Sequence, residues 1–304
     1  MTSKILLLSA TAAALVAPAP SNLRRNGARC VATRASGASV ADWRAACDAG
    51  VVSFHDFGVR LTATAAPASG DKTALDSARY AGREYAKYAL ATGGQYYALL
   101  GVAAVVDKCA PTLPRPAVWV LFAFLSLRSR VLSPLDNSRP DRDAQGGAAV
   151  PEDVRRPRWT PPGVAFPIIW LTITGLRATA AAMAYAGSLR APALSALLLH
   201  LCVGDTWNTV TNVERRLGVS AVGVAAVWYS CLNAVRAFAK SPAPAAAAVL
   251  APSLAWISVA CVLTCAIWRL NGCRPLYPSE GDGSSAATRL KFLLQLQPSS
   301  IGGK

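Results

Sequence analysis

Four apolar segments follow one another in the second half of the chain, at residues 163–185, 191–213, 219–238 and 245–270. Each is long enough to cross a hydrocarbon core of about 30 Å at about 1.5 Å of rise per residue. Short joints at 187–190, 214–218 and 240–244 separate them, which predicts antiparallel neighbours. A fifth segment, 116–135, precedes them, with Trp119, Phe122 and Phe124 inside it and Arg128 and Arg130 at its far end. Alanine and glycine fill these stretches and permit close helix approach. Upstream the pattern is mixed. Residues 73–90 place Leu75, Ala78, Ala81, Tyr85, Tyr88 and Ala89 near one stripe, as in an amphipathic helix docked on its own bundle, on a partner or on a membrane surface. Residues 95–106 are apolar for only a dozen positions, which suits a half-buried or interfacial helix better than a span. Residues 137–157 read as a loop rich in proline, glycine and charge. The tail after Asn271 is polar, with a short helical turn expected at 290–296. The pattern predicts an all-α membrane protein. A targeting presequence (1–40) and a peripheral helical extension (41–115) precede a five-transmembrane-helix bundle (116–271), and a polar tail follows (272–304).

Composition agrees with lipid as solvent. The 304 residues are 53% hydrophobic and 15% charged, against about 25% charged in soluble domains. Between Trp159 and Asn271 the only charges are Arg177, Arg190, Asp205, Glu214, Arg215, Arg216, Arg236, Lys240 and Arg269. The net charge of +15 does not point to nucleic acid, because no basic run is interleaved with aromatics. Topology and targeting account for it better. Seven Arg lie in 128–158. With five spans, that loop shares a side with Arg215, Arg216 and the C-terminal tail, and this side is expected to face the insertion-competent compartment.

No acidic residue precedes Asp42. Lys4 and the apolar stretch 5–16 read as a signal-peptide start, too short to span. The following 21–40, with Arg24, Arg25, Arg29 and Arg34 among Ser, Ala and Gly, has transit-peptide composition. A signal followed by a transit stretch resembles the bipartite plastid presequence of algae with secondary plastids, although the junction at 14–18 lacks that group's aromatic residue. Location in a plastid membrane is the expectation, with mitochondrial or endoplasmic reticulum membrane as alternatives.

The sequence carries no nucleophile–base–acid set, no phosphate-cradling glycine loop, and no HExxH or CxxCH. No catalytic residue and no dedicated metal site are assigned. None of the eight cysteines forms a CxxC pair. Tryptophan is the distinctive feature. Trp159 and Trp268 suit interfacial belts. Trp170, Trp207 and Trp256 fall deeper, where aromatic faces serve either as core filling or as a site for a flat hydrophobic ligand.

The sequence Arg158-Trp159-Thr160-Pro161-Pro162, followed by Phe166 and Trp170, resembles the K/R-P-x-W-x-P-P…F…W stretch of the TspO/MBR family, the tryptophan-rich sensory and translocator proteins. Trp207 sits where the third family helix carries L-N-x-x-W. Arg215-Arg216 fits its basic turn, and Val227-Trp228 the fourth helix's L-W. Pro252 to Trp256 fits P-Y-L-L-W, and Ile267-Trp268-Arg269-Leu270-Asn271 the closing I-W-x-x-N. The resemblance implies a five-helix bundle with a ligand cavity under the first long loop, binding tetrapyrroles such as haem and protoporphyrin. It implies Trp159, Pro161, Pro162, Phe166, Trp170, Trp207 and Trp256 as ligand contacts. Transport, scavenging or stress sensing would follow, with porphyrin degradation as a further implication from relatives. The implied partners are the lipid bilayer, a small hydrophobic ligand and a second copy of the chain in a homodimer.

The departures carry chemistry of their own. The third family helix reads Q-L-x-L-N, and here it is His200-Leu201-Cys202-Val203-Gly204. Ser253 replaces the tyrosine of P-Y-L-L-W, Thr174 falls near the second helix's L-Y, and Thr264 replaces the fifth-helix asparagine. Sterol binding is therefore not expected. His200 lies inside a span and joins the ligand-binding candidates, either as a packing histidine or as an axial ligand to haem iron. Arg177 and Asp205 also lie within spans, and a mutual ion pair is expected. Two other functions remain open: a pigment-metabolism enzyme or assembly factor, and a structural subunit of a plastid membrane complex.

Overall fold

The computed structural model describes residues 72–136, 154–280 and 290–291. The expected presequence and residues 41–71 lie outside the described residues, as does most of the predicted turn at 290–296. The described chain is helical: α1 Lys72–Cys109, α2 Arg115–Arg128, α3 Ala165–Ala184, α4 Pro192–Asn208, α5 Leu217–Ala239 and α6 Ala245–Leu270. Among the described residues there is no strand, only an isolated bridge between Leu135 and Leu290. Four helices, α1, α3, α5 and α6, are long and apolar enough to cross a membrane.

The ends follow local chemistry. Pro116 and Pro192 open α2 and α4 in the first turn, where a missing N–H costs nothing. α2 stops after 14 residues, tightening into a 3-10 turn at Ser129–Leu132. α4 has 17 residues and continues as a π-helical turn, Thr209–Val213. Two of the five expected spans, 116–135 and 191–213, are thus shorter as regular α-helix than the sequence pattern suggests. α3, α5 and α6 match their segments closely. α3 packs on α2 and α6, and α5 packs on α4 and α6.

The largest departure is α1. The stripe at 73–90 and the apolar run at 95–106 form one helix of 38 residues, not a peripheral helix and a separate short one. Gly93 and Gly94 separate the two patterns but do not break the helix. At about 1 kcal/mol each, two glycines are outweighed by the packing on either side. From Glu84 onward a single stripe is buried: Glu84, Tyr88, Ala91, Gln95, Leu99 and Ala103. The opposite face, with Leu90, Tyr97, Val102 and Val105, is exposed and apolar, as a lipid-facing surface must be.

Polar contacts hold this helix at three levels. Asp107 accepts from the Leu189 amide (2.9 Å), Ser188 Oγ (2.9 Å) and Arg190 Nε (3.2 Å). Thr92 Oγ1 lies 2.6 Å from Thr206 Oγ1, and Gln95 Nε2 donates to Asp205 Oδ2 at 2.7 Å. Near Glu84, the Tyr88 hydroxyl donates to Glu214. Position numbers fall on one helix as they rise on the other, so α1 runs antiparallel to α4. From Glu84 to Asp107 it covers about 35 Å, enough to cross a hydrocarbon core of about 30 Å.

A common core joins Leu99 and Phe122 to the alanines of α3, the leucines of α4, Phe238 of α5 and Leu250 of α6. At one end, the Lys291 amide donates to the Pro134 carbonyl (2.9 Å), tying the C-terminal segment to the first loop. This agrees with the common side expected for both. Arg216 differs: it is fully buried between Glu84 and Glu214 rather than displayed as a loop charge.

Candidate functional site

The expected ligand residues fall into separate groups. Phe166 opens α3 and Trp256 sits midway along α6. Their ring centroids are 6.3 Å apart with planes at 70°, an edge-to-face pair. Trp170 follows one turn below Phe166 and is half-buried. Trp207 turns to α5 instead: its Nε1 donates to the Ser220 carbonyl at 3.1 Å, and its ring edge lies close over Gly223. Trp159 is 51% exposed, Pro161 is half-buried and Pro162 is exposed, on the segment leading into α3. The structure thus brings Phe166 and Trp256 together, keeps Trp170 on the same helix face, and directs Trp207 elsewhere.

That leading segment is held by a side chain. Asn271, just past α6, accepts from the Arg155 amide (3.0 Å) and donates from Nδ2 to the Arg155 carbonyl (2.9 Å). A second Nδ2 bond, 2.7 Å to the Ile267 carbonyl, fixes the carboxamide. Asn271→Ala is expected to release this stretch, with hydrogen exchange at the Arg155 amide rising about tenfold, since each lost bond is worth about 1 kcal/mol. An unchanged rate would show that the clamp is redundant.

Two polar side chains on α6 stand out. Ser253 is fully buried and its Oγ has no hydrogen-bond partner, and the buried Trp256 Nε1 has none either. They are three residues apart, so they share a face. Pro252 beside them removes one helical N–H, loosening the helix at this point. Buried polar groups are normally satisfied, so each exception calls for a physical reason.

The charged residues inside the bundle do not pair as expected. Arg177 Nη2 lies 2.7 Å from His200 Nε2, and His200 Nδ1 lies 3.0 Å from Ser230 Oγ. A guanidinium only donates, so Nε2 accepts and the ring is neutral, with its proton on Nδ1. Ser230 passes its own proton to the Val227 carbonyl at 2.8 Å. Both nitrogens of His200 are engaged and the residue is buried, so neither is free to ligate haem iron in this structure.

Asp205 is bound from elsewhere. Its Oδ2 accepts from Gln95 Nε2 (2.7 Å) and from Ser129 Oγ (2.6 Å). Gln95 Nε2 also donates to the Ser129 carbonyl (2.9 Å). The expected Arg177–Asp205 ion pair is therefore replaced by two separate clusters, because α1 and the turn after α2 reach Asp205 first. Gln95 and Ser129 were not among the residues expected from the sequence. The signal was available in Gln95, one polar position within the stripe that continues through Leu99 and Ala103. Asp205→Leu is expected to cost about 2–3 kcal/mol, since it strands two buried donors. A cycle with Gln95→Leu should show coupling of about 1 kcal/mol or more in thermal unfolding, and strict additivity would deny the contact its role. Lys291 lies at the same end. Partial burial lowers its ammonium from the ordinary value, while Asp136 and Asp205 draw it back up.

An open apolar depression of about 570 Å³ lies on α2, lined by Pro116, Ala117, Val120, Leu121 and Phe124. Val120 and Phe124 are exposed, so it faces outward. Among the described residues no three His, Cys, Asp or Glu side chains gather as a metal site.

Long apolar helices with lipid-facing side chains, packed around buried polar groups, define an integral membrane protein, with an edge-to-face aromatic contact between two of its helices. Residues 138–269 match the model of the TspO/MBR family. The match takes in α3 to α6, while α1 and α2 precede it. Protein CrtK of Rhodobacter capsulatus is 25% identical over 124 residues, covering 40% of this chain and 77% of CrtK.

Proposed function

We propose that the bundle binds a flat hydrophobic ligand, a tetrapyrrole such as protoporphyrin or haem, between α3 and α6, for transport, scavenging or stress signalling. The observation that carries this reading is the pair of unpartnered polar atoms on α6, Ser253 Oγ and Trp256 Nε1, beside the Phe166–Trp256 ring contact. An apolar slot with a few convergent polar groups is what a small-molecule site requires. The Trp256 face would stack on the ring, and the hydroxyl and indole N–H would meet its polar atoms. Binding would rest on burial and stacking, with no acid–base step assigned to any side chain. The match of α3 to α6 to the TspO/MBR family model supports a site within these helices. The five-span count belongs to the same proposal, with α2 and α4 crossing together with their 3-10 and π extensions, and α1 would add a sixth crossing. Residues 1–40 would direct the protein to a plastid membrane, which a fluorescent fusion of that segment tests.

The binding test is titration of the purified protein with haem, protoporphyrin and chlorophyll precursors, following tryptophan fluorescence. Saturable quenching is expected, weakened by Trp256→Phe. Quenching without saturation, or saturation indifferent to Trp256→Phe, would sink the reading.

A further inference from the structure

Among the described residues, the interior of the bundle holds a cation that contacts no carboxylate. Arg177 is 6% exposed in the middle of α3. Its Nη2 meets the neutral ring of His200, and its buried Nε has no hydrogen-bond partner. The nearby carboxylate, Asp205, spends its Oδ2 on Gln95 and Ser129. A guanidinium at membrane depth that lacks an anion is costly, and such groups usually mark a functional site.

Arg177 also continues a line. Phe166, Trp170, Thr174 and Arg177 follow at intervals of four, four and three residues, one face of a helix. From Phe166 to Arg177 the helix rises about 16 Å. Along this face the chemistry passes from aromatic to hydroxyl to guanidinium. On α6, which packs against α3, the unpartnered atoms are Ser253 Oγ and Trp256 Nε1. All three orphaned groups can donate a hydrogen bond, and Arg177 and Trp256 can only donate. Unpartnered donors on two packed helices call for a ligand that brings acceptors, and the guanidinium calls for a negative one.

We propose that Arg177 is the anion-recognising residue of the interior site, so that the ligand class is a planar macrocycle bearing at least one carboxylate, with its ring at Phe166 and Trp256 and its carboxylate on the free Arg177 Nε. This rests on the reading of the site as one for a flat hydrophobic ligand and narrows it. His200 keeps the guanidinium in place from its Nη2 side while Nε remains available. An ester or decarboxylated analogue would bury the same apolar area yet leave Arg177 uncompensated, so the site selects the acid.

The test compares protoporphyrin free acid with its dimethyl ester, titrated into the full chain in lipid nanodiscs. The acid is expected to bind about tenfold tighter or more, as a charge-assisted bond in a dry site implies. Arg177→Gln should bring the two within about twofold of each other, and Arg177→Lys, which keeps the charge but loses the planar fork, should fall between. If Arg177→Gln does not fold, the wild-type comparison and Arg177→Lys decide alone. Equal binding of acid and ester overturns the inference and leaves the broader ligand reading intact. Failure of both to bind overturns the two together.

Discussion

Replacing Arg216 with methionine is expected to cost about 3–5 kcal/mol of stability, the range found when one member of a buried ion cluster is removed and its partners stay behind. Arg216 is fully buried. Its Nη2 lies 3.2 Å from Glu84 Oε2 and its Nε 3.7 Å from Glu214 Oε2, and its Nη1 donates to the Tyr88 hydroxyl at 3.0 Å. Lys87 Nζ at 2.6 Å would still serve Glu84, but Glu214 would keep only the Tyr88 hydroxyl among these partners. The damage should be local first. α1 would detach from the α4–α5 joint, so amide exchange should accelerate around Glu84 to Tyr88 before the rest of the bundle melts. Arg216→Lys should recover part of the loss, because an ammonium cannot serve both carboxylates and the phenol in one plane. Thermal unfolding in detergent, read beside hydrogen exchange, checks both. A methionine variant as stable as the parent would mean that the cluster contributes specificity rather than stability.

Gly218→Ala should be nearly as damaging, for a steric reason. A Cβ at this position in the first turn of α5 would stand 1.9 Å from the Pro275 carbonyl oxygen and 2.7 Å from that of Arg274. Backbone must move, and this backbone is pinned. Trp268 Nε1 donates to the Arg274 carbonyl (2.7 Å) and the Tyr85 hydroxyl to that of Leu276 (3.0 Å). The chain reaches this position through two residues at positive φ, Gly272 (86°) and Cys273 (49°), which turn it back across the end of α5. Alanine would gain up to about 1 kcal/mol in helix propensity, while overpacking costs about 1–3 kcal/mol and occasionally more, and a 1.9 Å approach to a pinned backbone belongs at the upper end. The clash wins. The variant is expected to unfold at lower temperature and to lose the contact between the C-terminal segment and α5. A stabilised Gly218→Ala would show that the segment yields freely.

The helices of the family region were legible because their signal is simple. Long apolar runs with short joints leave few alternatives in lipid, where each backbone group must be satisfied within its own segment. Phe166 and Trp256 were singled out by motif spacing, and their ring contact follows from the packing of α3 on α6. What the sequence concealed was decided by tertiary partners. The two glycines at 93 and 94 divide the pattern of α1, and only docking along α4 shows that the helix runs through. Arg216 resembles an ordinary loop cation until Glu84, far upstream, is placed beside it. Arg177 and Asp205 looked like natural partners because no other charges lie deep in the expected spans. The uncharged donors Gln95 and Ser129 had already claimed Asp205. Trp207 shows the same limit: its position fits a ligand contact, yet its indole N–H is spent on the Ser220 carbonyl.

On the proposed reading, the interior of α3 to α6, and not an outer face, receives the ligand. The most direct measurement is an experimental structure of the protein with protoporphyrin in a lipid environment. The macrocycle is expected beside Phe166 and Trp256, within hydrogen-bond reach of Ser253. A macrocycle seated instead in the outward depression of α2 at Pro116, Val120 and Phe124, with Ser253 and Trp256 still unpartnered, would contradict it.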